Sequence, residues 1–480
     1  MRARWLRVRA AAALAGTAIF TCCAVLACDA SVDLENHHSA SSSTGGDPSC
    51  PDQRADCDMD GTCETTLGTA DDCGACGDVC NSVHGAAKCV NGGCVSSCDA
   101  GFADCDATGE NGCESQLASD PHNCGACGKD CGDGDCVVGS CVVVLAQTPA
   151  AFVGADSLVL ENGYLDWATP SVDGVDDVFK GEVARVTIAG GVASTLAIDG
   201  NYPFGLVSNG TDLFWSDATA LGFFRYPLPN GPAAPLLATS PYFRVQAFAV
   251  DAKTIYFAGY QSYESAPDLL RMPVDGSAAP EVIATGFTLL SGGALSGDDL
   301  YVADVGPEIQ QGEGTDTYWG NPNATITRIS LSTLQSHVVA QNLDTASAVA
   351  VHDGSLYWIE SGSLATYSAN GNEEYNRGTY GRIVRANLDG TNPTVLVDGL
   401  AKPLAMAFDQ AHVYVSAQGS PGGVDPSTSE YEPDGLVGRV PLDGGAMETL
   451  FPFNSEVIAV DDTAVYAGSN LLGIIVRIAK

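Results

Sequence analysis

The feature that most constrains this chain is a unit that recurs seven times from residue 142 onward. Each copy reads as an apolar strand, a short turn and a second strand usually centred on an aromatic. A variable loop follows, then a third strand often containing Arg, then Gly and a fourth apolar strand. AMAFDQAHVYVSA (405–417), LVGRVPLDGG (436–445) and METLF (447–451) make the clearest copy. The second-strand anchors are Asp166, Phe214, Tyr256, Tyr301, Tyr357, Tyr414 and Tyr466, spaced 48, 42, 45, 56, 57 and 52 residues apart. Apolar and polar residues alternate with a period of two, and no helical period is sustained. A unit of four short strands cannot bury both of its faces alone, so copies must stack on one another. The expected fold is all-β, a seven-bladed β-propeller preceded by small disulfide-rich modules, with six blades as the alternative count.

Strand counting favours seven. Units one to six end with the fourth strands STLAI, PLLAT, EVIAT, HVVAQ, TVLVD and METLF, whereas unit seven stops after its third. VVVLAQ (142–147) precedes unit one and nearly copies HVVAQ (337–341). It is expected to complete the last blade and close the ring, which removes the edges an unfinished sheet would expose.

LFWSD (213–217), LYVAD (300–304) and LYWIE (356–360) resemble the YWTD repeats of propellers in the low-density-lipoprotein receptor class, and 385–415 is the most similar stretch. The resemblance implies a propeller over residues 142–480 and says almost nothing about function. YWTD propellers have six blades, so seven units are a departure from that class.

Sixteen cysteines lie between Cys50 and Cys141 in two sets of eight. The first set is Cys50, Cys57, Cys63, Cys73, Cys76, Cys80, Cys89 and Cys94. The second is Cys98, Cys105, Cys113, Cys124, Cys127, Cys131, Cys136 and Cys141, with corresponding members 47 to 51 residues apart. The surrounding text repeats as well, giving modules 50–94 and 95–141 that resemble the NGCE/NCGACG repeats of exported bacterial proteins. Modules this small need cross-links, so all sixteen are expected in disulfides, with the pairing open. Cys73-Gly-Ala-Cys76 and Cys124-Gly-Ala-Cys127 lack the strand–helix setting of a redox pair. Asp56, Asp58 and Asp60, followed by Gly61, begin like a calcium loop. Leu67 holds the position where a bidentate acid belongs, and the second repeat keeps only Asp104 and Asp106, so an acidic turn is the ordinary alternative.

Residues 1–27 carry a basic head (Arg2, Arg4, Arg7, Arg9) and a short alanine-rich apolar body, the pattern of a secretory signal. Val25-Leu26-Ala27-Cys28 resembles the lipobox of bacterial lipoproteins, which implies a lipid on Cys28. Residues 28–49 then read as a flexible tether. The location these resemblances imply is the bacterial cell envelope, the outer membrane or cell surface being expected over the inner membrane, with the lipid as the membrane anchor.

The net charge is −38, from 59 acidic against 21 basic residues, which excludes nucleic acid as a partner. No G-x-S-x-G, H-E-x-x-H or P-loop occurs, and no residue is assigned a catalytic role. The long connections 170–181, 304–324, 360–381 and 417–436 all join second to third strands and so crowd one face of the disc. They carry aromatics among carboxylates, and the residues expected to bind a ligand are Trp167, Asp176, Tyr318, Trp319, Glu374, Tyr375, Tyr431 and Asp434. Rings stack on sugars and carboxylates hydrogen-bond to them, so a carbohydrate or a protein partner suits this face. The alternative is an envelope hydrolase or lyase acting on sugars or lactones at the propeller mouth. His337, His352 and His412 form no site there, and Arg244 and Glu456 are expected to pair across the channel.

Overall fold

A strand in the middle of a propeller blade is covered on both faces, so every one of its side chains must be apolar, small or paired. The second strands obey this rule along their whole length. The computed structural model describes residues 50–480 except 52, 82, 148–154, 170–180, 201–202, 218–221, 238–241, 243, 263–264, 312–317, 363–364, 370–371, 378–379, 420–434 and 470–471. For 198–200, 310–311, 318–320, 365–369 and 372–377 it describes the backbone alone. The chain divides into two compact units, the first ending at Glu114 and the second beginning at Ser115.

The second unit is a seven-bladed β-propeller. Blade 1 comprises Ser157–Glu161, Tyr164–Thr169, Gly181–Thr187 and Ser194–Gly200. Blade 2 comprises Pro203–Ser208, Asp212–Asp217, Gly222–Pro227 and Ala234–Leu237, and blade 3 Arg244–Val250, Thr254–Tyr260, Asp268–Pro273 and Glu281–Ala284. Blades 4 and 5 begin at Leu290–Ser296 and Ala346–His352, and blade 6 at Pro403–Phe408. Blade 7 pairs Val457–Val460, Ala464–Ser469 and Ile474–Ala479 with Ser140–Gln147 and then Asp135–Val137. No α-helix occurs among the described residues.

The first strand of each blade meets the first strands of both neighbours, and the last meets the first, so the ring is closed. The large apolar clusters lie between blades rather than within them. One holds Phe214 and Phe223 of blade 2 with Val245 and Phe257 of blade 3. Another holds Leu145 and Tyr466 of blade 7 with Leu165 and Trp167 of blade 1.

Every anchor faces an arginine of the third strand. Asp166 pairs in register with Arg185, Phe214 with Arg225, Tyr256 with Arg271 and Tyr301 with Arg328. Tyr357 pairs with Arg385, Tyr414 with Arg439 and Tyr466 with Arg477. In the odd blades the guanidinium also reaches a main-chain carbonyl of the next blade. Arg185 donates to Pro229 O at 2.6 Å, Arg271 to Leu331 O at 3.1 Å and Arg385 to Leu442 O at 3.0 Å. Arg477 does the same across the closure, to Ile188 O at 2.9 Å. Even blades hold the arginine with their own carboxylates: Asp212, Asp299 and Glu448.

Blade 1 departs from the rule by placing Asp166 where other blades carry a ring. Asp166 is 0% and Arg185 4% exposed, and they form two hydrogen bonds of 2.7 and 3.0 Å. Tyr164 and Tyr226 stack near the guanidinium. Removing one partner strands a buried charge.

The closing strand lies where the count put it. Gln147, Ala146, Val144, Val143 and Val142 pair with Ile474, Ile475, Val476, Arg477 and Ile478. It begins at Ser140, so Cys141 is itself part of the blade. Asp135–Val137 folds back as a fifth strand that covers the outer edge.

Two outcomes follow from these contacts. A chain starting at residue 148 should melt roughly 10 °C or more below one starting at 115, because the third strand of blade 7 loses a full row of backbone hydrogen bonds; equal melting temperatures in calorimetry would refute the closure. Asp166→Ala should destabilise the propeller by about 3–5 kcal/mol in urea unfolding, and Asp166→Leu with Arg185→Met should recover most of that loss.

Candidate functional site

The first strands start, and the second strands end, on the face that carries the long connections. Arg244 opens its strand opposite Tyr260, the last residue of the second strand. Asp156, Lys402 and Glu456 stand just before the first strands of blades 1, 6 and 7. These four groups ring the mouth of the central channel.

Asp156 is exposed to solvent, yet enclosure by the surrounding blades pushes its carboxyl above the ordinary range. The Gly205 N–H and the charge of Arg244 pull the other way. Burial pushes the Lys402 ammonium below its usual value, with Glu456 opposing. Lys402 also holds φ of 52°, a left-handed conformation unusual for a residue with a side chain. The Glu456 carboxylate accepts from Gln418 Nε2 at 3.0 Å. The expected pair between Arg244 and Glu456 is not formed. Arg244 instead donates to Gln246 Oε1 at 3.3 Å and lies 5.3 Å from the Phe204 ring and 5.5 Å from the Tyr260 ring.

The residues expected to bind ligand fall into three groups. Trp167 is a correction: it is 2% exposed and packs between blades 7 and 1. It follows the anchor in a second strand, so alternation turns it onto the opposite, equally covered face. Asp176, Tyr431 and Asp434 lie outside the described residues, as do residues 1–49, on which the expected signal, the lipid site Cys28 and the expected tether fall. Tyr318 and Trp319 sit on a hairpin of Ile309–Gln311 with Tyr318–Gly320, inserted in blade 4. Glu374 and Tyr375 sit on a hairpin of Ala365–Ala369 with Asn372–Arg377, inserted in blade 5. The strands Tyr318–Gly320 and Ala365–Ala369 neighbour each other, so the two insertions lie side by side on one face.

His352 and His412 lie at the first-to-second turns, on the face away from the mouth. His352 stacks on Phe408 at 4.7 Å, and His412 meets the edge of Tyr414. His337 pairs with Arg328 in the outermost strand of blade 4.

In the first unit Asp56, Asp58 and Asp60 are joined by Glu64, with ligand-type oxygens of all four within 4.8 Å. Sequence reasoning looked for the further acid at Leu67 and missed Glu64. Oxygen-only donors of this kind suit a hard cation such as calcium. The same carboxylates already serve their own loop: Asp56 accepts from the N–H groups of Asp60 and Gly61, and Glu64 from that of Cys57.

All sixteen cysteines are disulfide-bonded. The first repeat pairs Cys50–Cys63, Cys57–Cys76, Cys73–Cys89 and Cys80–Cys94. Cys98–Cys113, Cys124–Cys136 and Cys131–Cys141 reproduce three of these in the second repeat. Neither Cys-Gly-Ala-Cys sequence closes on itself, since Cys73 bonds Cys89, Cys76 bonds Cys57 and Cys124 bonds Cys136, and none of these sulfurs is a thiolate open to zinc.

No protein-family model matches the chain, and no curated protein matches its sequence. Solved structures similar to it include virginiamycin B lyase from Staphylococcus aureus, 12% identical over 71% of this chain and 99% of that one, with a TM-score of 0.47. A chain of a nidogen/laminin complex is 15% identical over 49% of this chain and 86% of that one, TM-score 0.34. A puromycin hydrolase mutant is 10% identical over 67% of this chain and 50% of that one, TM-score 0.45.

Mass spectrometry after alkylation of the unreduced protein should find no labelled cysteine within residues 50–141. Reactive thiols or stoichiometric zinc would contradict the bridges.

Proposed function

We propose that this protein is an exported lipoprotein of the bacterial cell envelope that recognises a protein or carbohydrate partner through the loop-rich face of its propeller. The lipid on Cys28 holds it to the outer membrane or cell surface, and the tether sets the propeller away from the bilayer. One observation carries the recognition role. The insertions of blades 4 and 5 form adjacent hairpins on a single face, and they bring Tyr318, Trp319, Glu374 and Tyr375 into one neighbourhood. Hairpins projecting from a rigid ring are where binding residues are held in place while the scaffold stays fixed.

A second reading, a hydrolase or lyase acting on sugars or lactones, draws support from Asp156 and Lys402, whose pKa values are displaced in opposite directions at the mouth. Displacements of that kind accompany acid–base chemistry, and also accompany buried structural groups.

Glycan and envelope-protein arrays probed with the mature chain decide between them. Under the recognition reading the chain captures a partner unchanged, and Trp319→Ala with Tyr375→Ala weakens capture about tenfold or more. Capture that ignores both substitutions, or turnover of an arrayed sugar, would reject it. In cells, Cys28→Ser should release the protein from membranes; unchanged membrane association and mass would reject the lipid anchor.

A further inference from the structure

Acidic residues outnumber basic ones by 59 to 21, so an arginine here has carboxylates to spare. The described arginines of the propeller with placed side chains use them, or use fixed oxygens in their stead. Asp166, Asp212, Glu281, Asp299, Glu360 and Glu448 hold Arg185, Arg225, Arg271, Arg328, Arg382 and Arg439. Arg385 is held by Ser355 and the Leu442 carbonyl, and Arg477 by the Ile188 carbonyl. Arg244 is the exception: among the described residues no carboxylate or main-chain carbonyl lies within bonding distance of its guanidinium, and its one hydrogen bond goes to the side-chain amide of Gln246.

Its place explains why that matters. It is exposed and opens the innermost strand of blade 3, at the channel mouth on the loop-rich face. The Phe204 and Tyr260 rings hold the cation at 5.3 and 5.5 Å, which restrains it without using its donors. Of five N–H groups, only one, on Nη2, is engaged among the described residues, by Gln246 at 3.3 Å. The mouth's acids do not close on it. Glu456 is taken by Gln418, and the Asp156 carboxylate forms no ion pair with Arg244, although its charge is felt. A restrained guanidinium with unspent donors matches a carboxylate or phosphate, which two parallel N–H···O bonds would hold.

We propose that the channel mouth is a binding site for a small molecule bearing a carboxylate or phosphate group, which Arg244 grips, with Gln246 beside it. Asp156, the acid whose charge acts on Arg244 from blade 1, offers acceptors for hydroxyl or amino groups on the rest of the ligand. The acids would also turn away a polyanion, so the ligand carries one such group on an otherwise neutral or amino-bearing body. This site is separate from the two hairpins and does not depend on what they bind.

Phenylglyoxal, which attacks unengaged guanidinium groups, tests this on the intact protein with peptide mass spectrometry as readout. In anion-free buffer Arg244 should react about tenfold faster than Arg185 or Arg382, whose guanidinium groups are held bidentately by Asp166 and Glu360. Inorganic phosphate and glucuronate, each at roughly 10 mM, should slow Arg244 labelling several-fold and saturably, as expected of millimolar affinity. Glucose should not. Protection by glucuronate alone assigns the carboxylate, and by phosphate alone the phosphate. In calorimetry with the protecting anion, Arg244→Gln should abolish binding while Trp319→Ala leaves it unchanged. Slow labelling of Arg244 without anions, or labelling that neither anion slows, would overturn the site even if the hairpins bind their partner.

Discussion

The contact on which this architecture depends is the one between the anchor of each second strand and the arginine opposite it. An apolar blade face alone would allow neighbours to slide, because burial is not directional. The arginine adds direction. It lies across the anchor and, in blades 1, 3, 5 and 7, spends an N–H on a carbonyl of the following blade. Position and angle are thereby fixed at four of the seven interfaces, while apolar clusters fill the spaces between blades. Blade 1 shows how strict the requirement is. There the ring is replaced by a carboxylate, and the arginine keeps its place by forming a buried ion pair.

The anchors themselves are tied down in turn. Tyr256, Tyr414 and Tyr466 each donate their hydroxyl to an aspartate five residues earlier, Asp251, Asp409 and Asp461. Those aspartates also accept N–H groups of the first-to-second turn. One acid thus shapes the turn and orients the ring. Burial opposes ionisation of Asp409, but Lys480, Tyr414 and the N–H groups of Ala411 and His412 more than offset it and hold its pKa well below the carboxylate range. With a lowered folded-state pKa, its contribution is present above about pH 4 and is lost as the pH falls toward the folded value.

The blade count, the closing strand and the bridged state of the cysteines were legible because each leaves a periodic trace: aromatics about fifty residues apart, one surplus strand, paired Cys spacing. Other features leave no such trace. Trp167 looks like a surface aromatic beside an acidic loop, and only the covered second face of its strand removes it from the surface. Disulfide connectivity depends on which loops approach in space. Asp156 and Lys402 escaped notice because nothing distinguishes a residue just before a strand until the ring sets it beside the channel. Arg244 was visible, but its partner was misjudged, since reach across a channel cannot be read from residue type.

The closing strand joins residues more than three hundred positions apart in the chain. The N-terminal partner is made first, and its exposed edge has to wait until the last residues arrive. Cys124–Cys136 and Cys131–Cys141 span only 12 and 10 positions, so these bridges need no part of the propeller beyond residue 141 to form. The hairpin of Asp135–Val137 with Ser140–Gln147 would then be set early, one edge covered and the other presented as a template. Final closure becomes the docking of one ordered strand onto another rather than a search by two unstructured ends. For so non-local a pairing, that order of events shortens the interval in which an unfinished sheet can meet the wrong partner.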